Sequence, residues 1–276
     1  MNNYIFKFNR LTPGTAGLAF AAISLLATGC DNVDEADRFI KVERPEIARK
    51  VLVQEFTGQG CINCPQGAAL VHSLQAEYPG AIVAVNLHPE NTQYTRPLGG
   101  LKLTSAEATV YYQYYKPSML PSAVIDGQAP LSNVSLWTDA ILQAIARPSA
   151  ADLNLTTEYD AATRELKVTY HSKFNDVYNA PLAINIWVME NDIIGPQYSG
   201  ANIIRDYVHN HVMRATLTGE WGVAVADSFI PEDEYTATFS ITLDESWVAE
   251  NCEVIAFLQN PSSKTVEQSA EKSIFD

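Results

Sequence analysis

The chain has 276 residues, of which 47% are hydrophobic and 18% charged, and a formal charge of −14. That composition suits a folded globular protein with room for two domains and argues against an intrinsically disordered chain. So acidic a surface repels phosphate backbones and anionic head groups, which argues against nucleic acid as a partner.

Residues 1–29 carry Lys7 and Arg10, no acidic residue, and the short apolar run 18–26. The run is shorter than the roughly 20 residues of a membrane-spanning helix and suits the core of a signal peptide. Leu26-Ala27-Thr28-Gly29-Cys30 resembles the lipobox of bacterial lipoproteins, with Ala27 where that pattern has leucine. The resemblance implies cleavage before Cys30 and lipidation of its sulfur, while ordinary signal cleavage near Cys30 is the alternative. Loss of Lys7 and Arg10 takes the charge from −14 to −16. Residues 30–48 are expected to be a tether, and its acidic stretch 31–37 reads as a solvated, flexible segment. That stretch also resembles the export signals of surface lipoproteins in Bacteroidetes-type bacteria.

A first domain is expected over 49–148. Residues 50–56 read as a buried strand, apolar and β-branched. A helix over 64–78 follows, with Ala68, Ala69, Val71, Leu74 and Ala76 as its packed face. Residues 81–87 form a second buried strand, so strand, helix and strand make a βαβ unit with parallel pairing. The stretch 88–104 is rich in Pro, Gly, Thr and Asn and reads as a loop, followed by a helix over about 105–115. Residues 122–127 make a strand ending in the Asp126-Gly127 turn, and Pro148 closes a helix over 137–146.

From Ala151 the pattern changes to alternation, in 153–159, 165–170, 182–188, 236–243 and 252–258. Successive strands without helices indicate an antiparallel β-sandwich, immunoglobulin-like, over 150–276. The fold class is therefore α/β plus β, with the boundary near Pro148-Ser149.

Cys61-Ile62-Asn63-Cys64 falls between the first strand and the first helix. The spacing serves zinc sites and redox dithiols alike. Zinc needs a second pair of ligands, and Cys30 and Cys252 each stand alone, so no metal and no other cofactor is expected. At a helix N-terminus, unpaired N–H groups and the helix dipole favour a thiolate on the first sulfur. The second sulfur, one turn in, is close enough to close a disulfide. A static disulfide kept by a secreted protein is the alternative. His209-Asn210-His211 would put two imidazoles on one strand face but lacks a third ligand, so it reads as a surface or loop pair. Cys252 shares its face with Val254, Ala256 and Leu258 and reads as a core thiol. Tyr111, Tyr112, Tyr114 and Tyr115, before Pro117, read as a packing or binding face.

Residues 49–147 resemble the thioredoxin superfamily in three further respects beyond the Cys-x-x-Cys pair. These are the βαβ order, Glu55 six residues before Cys61, and Leu120-Pro121-Ser122 ahead of a strand. The resemblance implies that Cys61, the more exposed sulfur, attacks the substrate, that Cys64 resolves the mixed disulfide, and that Glu55 carries its proton. It also implies that Leu120 and Pro121, joined by a cis bond, shape the substrate groove. Gly60 replaces the family's tryptophan, which is expected to open the site; Asn63 lacks the histidine of strongly oxidising members, and Pro65 stands where lysine is common.

The mature chain is similar to the outer-membrane-protein-of-28-kDa lipoproteins of Bacteroidetes, through residues 55–65, 120–122 and 207–212. The expectation is a thiol–disulfide oxidoreductase anchored to the outer membrane by lipid, on its periplasmic or cell-surface side. Its partners would be extracytoplasmic protein thiols and disulfides. The rival expectation is a surface binding or adhesion lipoprotein with an unknown partner, in which the Cys61–Cys64 disulfide is structural.

Overall fold

Residues 47–275 are described by the computed structural model; the expected signal peptide 1–29, the lipidation site Cys30 and the tether up to residue 46 lie outside them. β1 (Val51–Phe56) is buried along its whole length, since apolar side chains leave both of its faces. It pairs in parallel with β2 (Ile82–Leu87), Val51 opposite Ile82 and Phe56 opposite Leu87. Between them runs α1 (Cys64–Glu77), which buries Cys64, Gly67, Val71 and Leu74. Those four follow the helical repeat, whereas Ala69 and Ala76 fall off the stripe and are exposed, contrary to the sequence reading. α2 (Ala106–Tyr115) starts at Ser105, whose Oγ accepts from the Ala108 N–H at 3.1 Å. β3 (Ser122–Ile125) pairs antiparallel with β1, and α3 (Trp137–Ile145) buries Trp137, Ile141 and Ala144.

Strands make up most of the remainder. They are β4 (Ala151–Asp160), β5 (Glu165–Phe174), β6 (Leu182–Glu190), β7 (Ile193–Ser199) and β8 (Asn202–His209). β9 (Val212–Thr216), β10 (Val223–Ala226), β11 (Glu234–Thr242), β12 (Cys252–Gln259) and β13 (Val266–Ser273) follow. β11-β5-β4 form a three-stranded sheet, and β7-β8 stand alone as a hairpin. One sheet runs β13-β12-β6-β9-β2-β1-β3, with β10 also on β6, and so joins both halves of the chain. The described residues fall in a single compact unit. Pro148-Ser149 therefore marks a change from helices to strands, with no gap in the contacts there.

The long sheet curls until its two ends meet. The Val266 N–H donates to Asp126 O at 3.1 Å, the Lys50 N–H to Gln268 Oε1 at 2.8 Å, and Ser269 Oγ to Lys50 O at 2.6 Å. Enclosed by the curl is a cluster with Leu52, Phe56, Val85, Trp187, Met213 and Phe257, into which α2 inserts Ala108 and Tyr111. On the outer face α1 and α3 cover Val51, Val53 and Ala84. The three-stranded sheet covers β6 and β12, with Leu153, Val168 and Phe174 against Ile184, Ile186 and Val254. The result is a mixed α/β protein, mostly strand, with a sandwich-like second half.

The sequence reading assigned no strands to 193–226 or 266–273. β8 leaves Ile203, Ile204 and Val208 exposed, β7 contains Gly195 and Pro196, and β13 buries Gln268 and Ser269. None of these shows the alternation of a strand with one wet face. Arg49 and Asp126, 7% and 1% exposed, pair at 2.9 Å where the sheet ends meet, and Asp126 Oδ1 accepts from the Leu52 N–H at 2.9 Å.

Candidate functional site

The loop from β1 to α1 carries the cysteine pair. β1 ends at Phe56, and its last N–H relation to β2 passes to Thr57, which donates to Leu87 O at 3.0 Å. The chain then turns under residues 93–95. Gly58 is required there, because a Cβ would lie 2.4 Å from Tyr94 O. The Gly60 N–H donates to the same oxygen at 2.7 Å. Asn63 gives α1 no side-chain cap and Pro65 lies in its first turn, so the helix begins at Cys64 with a backbone bond from the Cys64 N–H to Cys61 O at 3.4 Å. Cys61 and Cys64 are joined by a disulfide, with their Cα atoms 5.4 Å apart.

Both sulfurs are buried: each cysteine is 2% exposed. This corrects the expectation that Cys61 is the exposed sulfur and that Gly60 opens the site. The cover over the loop comes from elsewhere in the chain. The β7–β8 hairpin lies over the loop: the Tyr198 N–H donates to Gln59 O and the Gly200 N–H to Ile62 O, each at 2.9 Å. Gln197 Nε2 donates to Gly58 O at 3.1 Å and to Cys61 O at 3.0 Å, and Gln59 Nε2 donates back to Pro196 O at 3.0 Å. The cysteines share the enclosed apolar cluster with Phe56, Leu120 and Tyr111, rimmed by Tyr94, Tyr112 and Tyr115. The Leu120–Pro121 bond is cis, and Pro121 is buried directly before Ser122, the partner of Phe56.

Glu55 lies on the other face of β1. It is 2% exposed, and burial lifts its carboxyl from 4.5 to about 8. α1 approaches so closely that a Cβ on Gly67 would sit 2.8 Å from Glu55 Oε1 and 2.8 Å from the Trp137 ring. Beside Glu55 and Cys64 opens a cavity of about 350 Å³, bounded by α1, the end of β2 and β8. His88 and His209 line it, 3% and 4% exposed, with ring centroids 6.3 Å apart. Asn86 sets this arrangement: its Nδ2 donates to Asn210 O at 2.8 Å and its N–H to His211 O at 2.7 Å. Burial, then the neighbouring His209, holds the His88 imidazole down to about 3, and burial holds His209 down to about 4. Glu55 Oε1, His88 Nδ1 and His209 Nε2 are buried atoms with no hydrogen-bond partner among the described residues.

The structure thus brings Cys61, Cys64, Leu120 and, across β1, Glu55 to one end of the sheet. It adds His88 and the hairpin residue Gln197, which sequence reasoning missed, and His209, which it read as a surface or loop residue. His209 and His211 do not form the expected surface pair: His209 is buried, and His211, at φ 54°, turns away to Glu253, with Nδ1 3.0 Å from Oε1. Among the described residues no three His, Cys, Asp or Glu side chains are placed to hold a metal ion. Cys252 is the core thiol expected, 2% exposed, donating to Val248 O at 3.4 Å; burial, then Glu190, pushes it up to about 12. Tyr111 packs on Trp187 and Trp221, and Tyr112 meets Phe56 edge-on at 5.8 Å. No helix among the described residues is long and apolar enough to cross a membrane.

A family model described as outer membrane protein Omp28 matches residues 108–275. Among solved structures, HBP35 of Porphyromonas gingivalis is similar over 83% of this chain and 76% of its own, with 15% identity and a TM-score of 0.66. A domain of the outer membrane lipoprotein Omp28 from Porphyromonas gingivalis covers 46% of this chain and 88% of its own, with 20% identity and a TM-score of 0.32. At 15% identity the likeness to HBP35 extends to the fold alone. No curated protein matches the sequence.

Proposed function

The chain belongs to the Omp28 family of outer membrane proteins, and from that starting point we propose that it is a lipid-anchored thiol–disulfide oxidoreductase working through Cys61 and Cys64. The observation that carries the reading is the disulfide at the junction of β1 and α1, with buried Glu55 lining the same cavity as Cys64. Parallel β1 and β2 with α1 between them, and antiparallel β3, support a thioredoxin-like first half. The layer of β4, β5 and β11 over β6 and β12 supports an immunoglobulin-like second half. The lipobox-like segment ending in Cys30 supports the anchor, and the acidic stretch after it supports display at the cell surface. Stable anchoring takes more than one acyl chain, each buried CH₂ contributing about 0.8 kcal/mol.

In exchange, a thiolate attacks one sulfur, the S–S bond breaks, and the other sulfur leaves with a proton to collect. In this reading Glu55, which lines the same cavity as Cys64, gives or takes that proton. Exchange with a protein partner at Cys61 requires the β7–β8 hairpin to lift. Gln197→Ala removes two bonds to the loop, so it should raise the alkylation rate of reduced Cys61 about tenfold at a stability cost of about 1–2 kcal/mol. Equal rates would show that the hairpin does not control access.

The deciding measurement is the reduction potential of the pair. A value of about −270 to −180 mV fits exchange, and one below about −300 mV fits a structural bond. A Cys64→Ser chain should then accumulate mixed disulfides at Cys61, seen as reducible adducts on non-reducing gels. The second reading, a surface binding protein built on a redox scaffold, is favoured by the 2% exposure of Cys61. In that case the potential is low, no adduct forms, and a Cys61/Cys64 double variant keeps its partner.

A further inference from the structure

The two ends of the disulfide face different surroundings. Cys61 lies under the hairpin, while Cys64, and not Cys61, lines the cavity with Glu55, His88 and His209. We propose that this cavity is a binding site for small uncharged thiols, which reach the disulfide at Cys64 Sγ without displacing the hairpin. The proposal rests on the exchange reading and names a substrate class for it.

Size, chemistry and charge all bear on the occupant. A volume of about 350 Å³ falls at the small end of ligand pockets, too small for a folded protein's cysteine and its surroundings. Glu55, His88 and His209, each 2–4% exposed, line the cavity, and each carries a buried polar atom without a hydrogen-bond partner among the described residues, Glu55 Oε1, His88 Nδ1 and His209 Nε2. A buried polar atom without a partner costs free energy that a ligand carrying donors and acceptors recovers. The three most buried ionisable groups of the lining are uncharged near neutral pH, since burial lifts Glu55 to about 8 and holds His88 and His209 down to about 3 and 4; His72 and His211 complete the ionisable groups of the lining. No lysine or arginine lines the cavity. Two basic side chains of this region already have acidic partners, Arg214 with Glu190 at 2.8 Å and His211 with Glu253 at 3.0 Å. An anionic thiol would surrender its water for no counter-charge, and an uncharged hydroxy-thiol avoids that cost.

The chemistry closes without any other reagent. The thiol R–SH attacks Cys64 Sγ from the cavity; the R–S–Cys64 bond forms, the Cys61–Cys64 bond breaks, and the proton of R–SH ends on the Cys61 sulfur. A second R–SH attacks the R sulfur of the mixed disulfide, releasing R–S–S–R and leaving its proton on Cys64. Two small thiols are oxidised and one protein disulfide is reduced.

The test uses the folded mature chain with 2-mercaptoethanol and mercaptoacetate, similar in size but differing in charge. Rates of disulfide loss, read by alkylation and mass, are normalised to the same chain unfolded in urea. The expected result is a preference of about tenfold or more for 2-mercaptoethanol in the folded chain, abolished by Ala68→Phe, which fills the cavity from α1. A companion measurement treats Cys61→Ser and Cys64→Ser chains with bis(2-hydroxyethyl) disulfide; Cys64 should form its adduct faster than Cys61. Equal normalised rates for the two thiols, or a faster adduct on Cys61, overturn the cavity site and leave the exchange reading standing. A disulfide that neither thiol nor dithiothreitol reduces in the folded chain overturns both.

Discussion

Glu55→Gln is expected to abolish a loss of stability that the wild-type chain suffers as pH rises. Glu55 is buried between β1 and α1, and burial lifts its carboxyl from 4.5 to about 8. The folded chain therefore holds this proton more tightly than the unfolded one. The group's contribution is intact below about pH 4.5 and is lost as pH climbs toward and through about 8. At about 1.36 kcal/mol per pKa unit, the loss reaches on the order of 4 kcal/mol by pH 8. Glutamine has the same shape and no charge, so the variant should match wild type near pH 4.5 and stay flat where wild type falls. Urea unfolding across that range, with the disulfide oxidised, measures the difference. A wild-type profile that is already flat would mean the carboxyl ionises at its ordinary pH, and Glu55 could not then store a proton for Cys64 at neutrality.

Asp126→Ala should be the most damaging single change outside the site, costing about 3–5 kcal/mol. Asp126 sits at the seam where β3 meets β13. It accepts from Arg49 Nε and the Leu52 N–H, both at 2.9 Å, and lies 3.6 Å from Arg147. Arg49 also donates to Val266 O. Burial pushes the Asp126 carboxyl up and Arg49 draws it back. Removing the acid leaves a guanidinium that is 7% exposed with only the more distant Glu267 carboxylate, at 3.9 Å, as counter-charge, so most of the cost belongs to that weakened pairing. An Arg49→Met, Asp126→Leu double variant should recover much of the loss in the same denaturant titration. If the double variant is worse than the sum of the single changes, the seam depends on the polar bonds themselves.

The first half was readable because its signals are local. Residues 51–56 and 82–87 are mostly apolar and rich in β-branched side chains, Ser105 is a cap, and the Cys-x-x-Cys pair sits where a strand hands over to a helix. Glu55 was found by its offset from that pair, and Pro121 by its place just ahead of a strand. What escaped is what arrives from a distance. Gln197 and His209 lie 136 and 145 residues beyond Cys61 and Cys64 in sequence, on a hairpin with no alternation to announce it. The exposure of Cys61 was misjudged for the same reason: its neighbours give it little cover, Gly60 having no side chain and Ile62 being 49% exposed, and its cover is carried by Tyr94 and β7–β8. Gln268 and Ser269 look like surface residues, yet they are buried because they bond to Lys50 across the closed seam.

That seam has a consequence for the order in which the molecule is made. Lys50 and Arg49 find their partners 217–219 residues later, at Val266, Gln268 and Ser269. A chain threaded out of the cytoplasm N-terminus first cannot complete the edges of β1 and β3 until its last strand has emerged, and such long-range closure is slow. The cysteine pair thus emerges well ahead of its hairpin, and further still ahead of the strand that finishes its sheet. During that interval it is open to whatever oxidants the compartment holds, and only arrival of the C-terminal strand draws the enclosure shut around the bond.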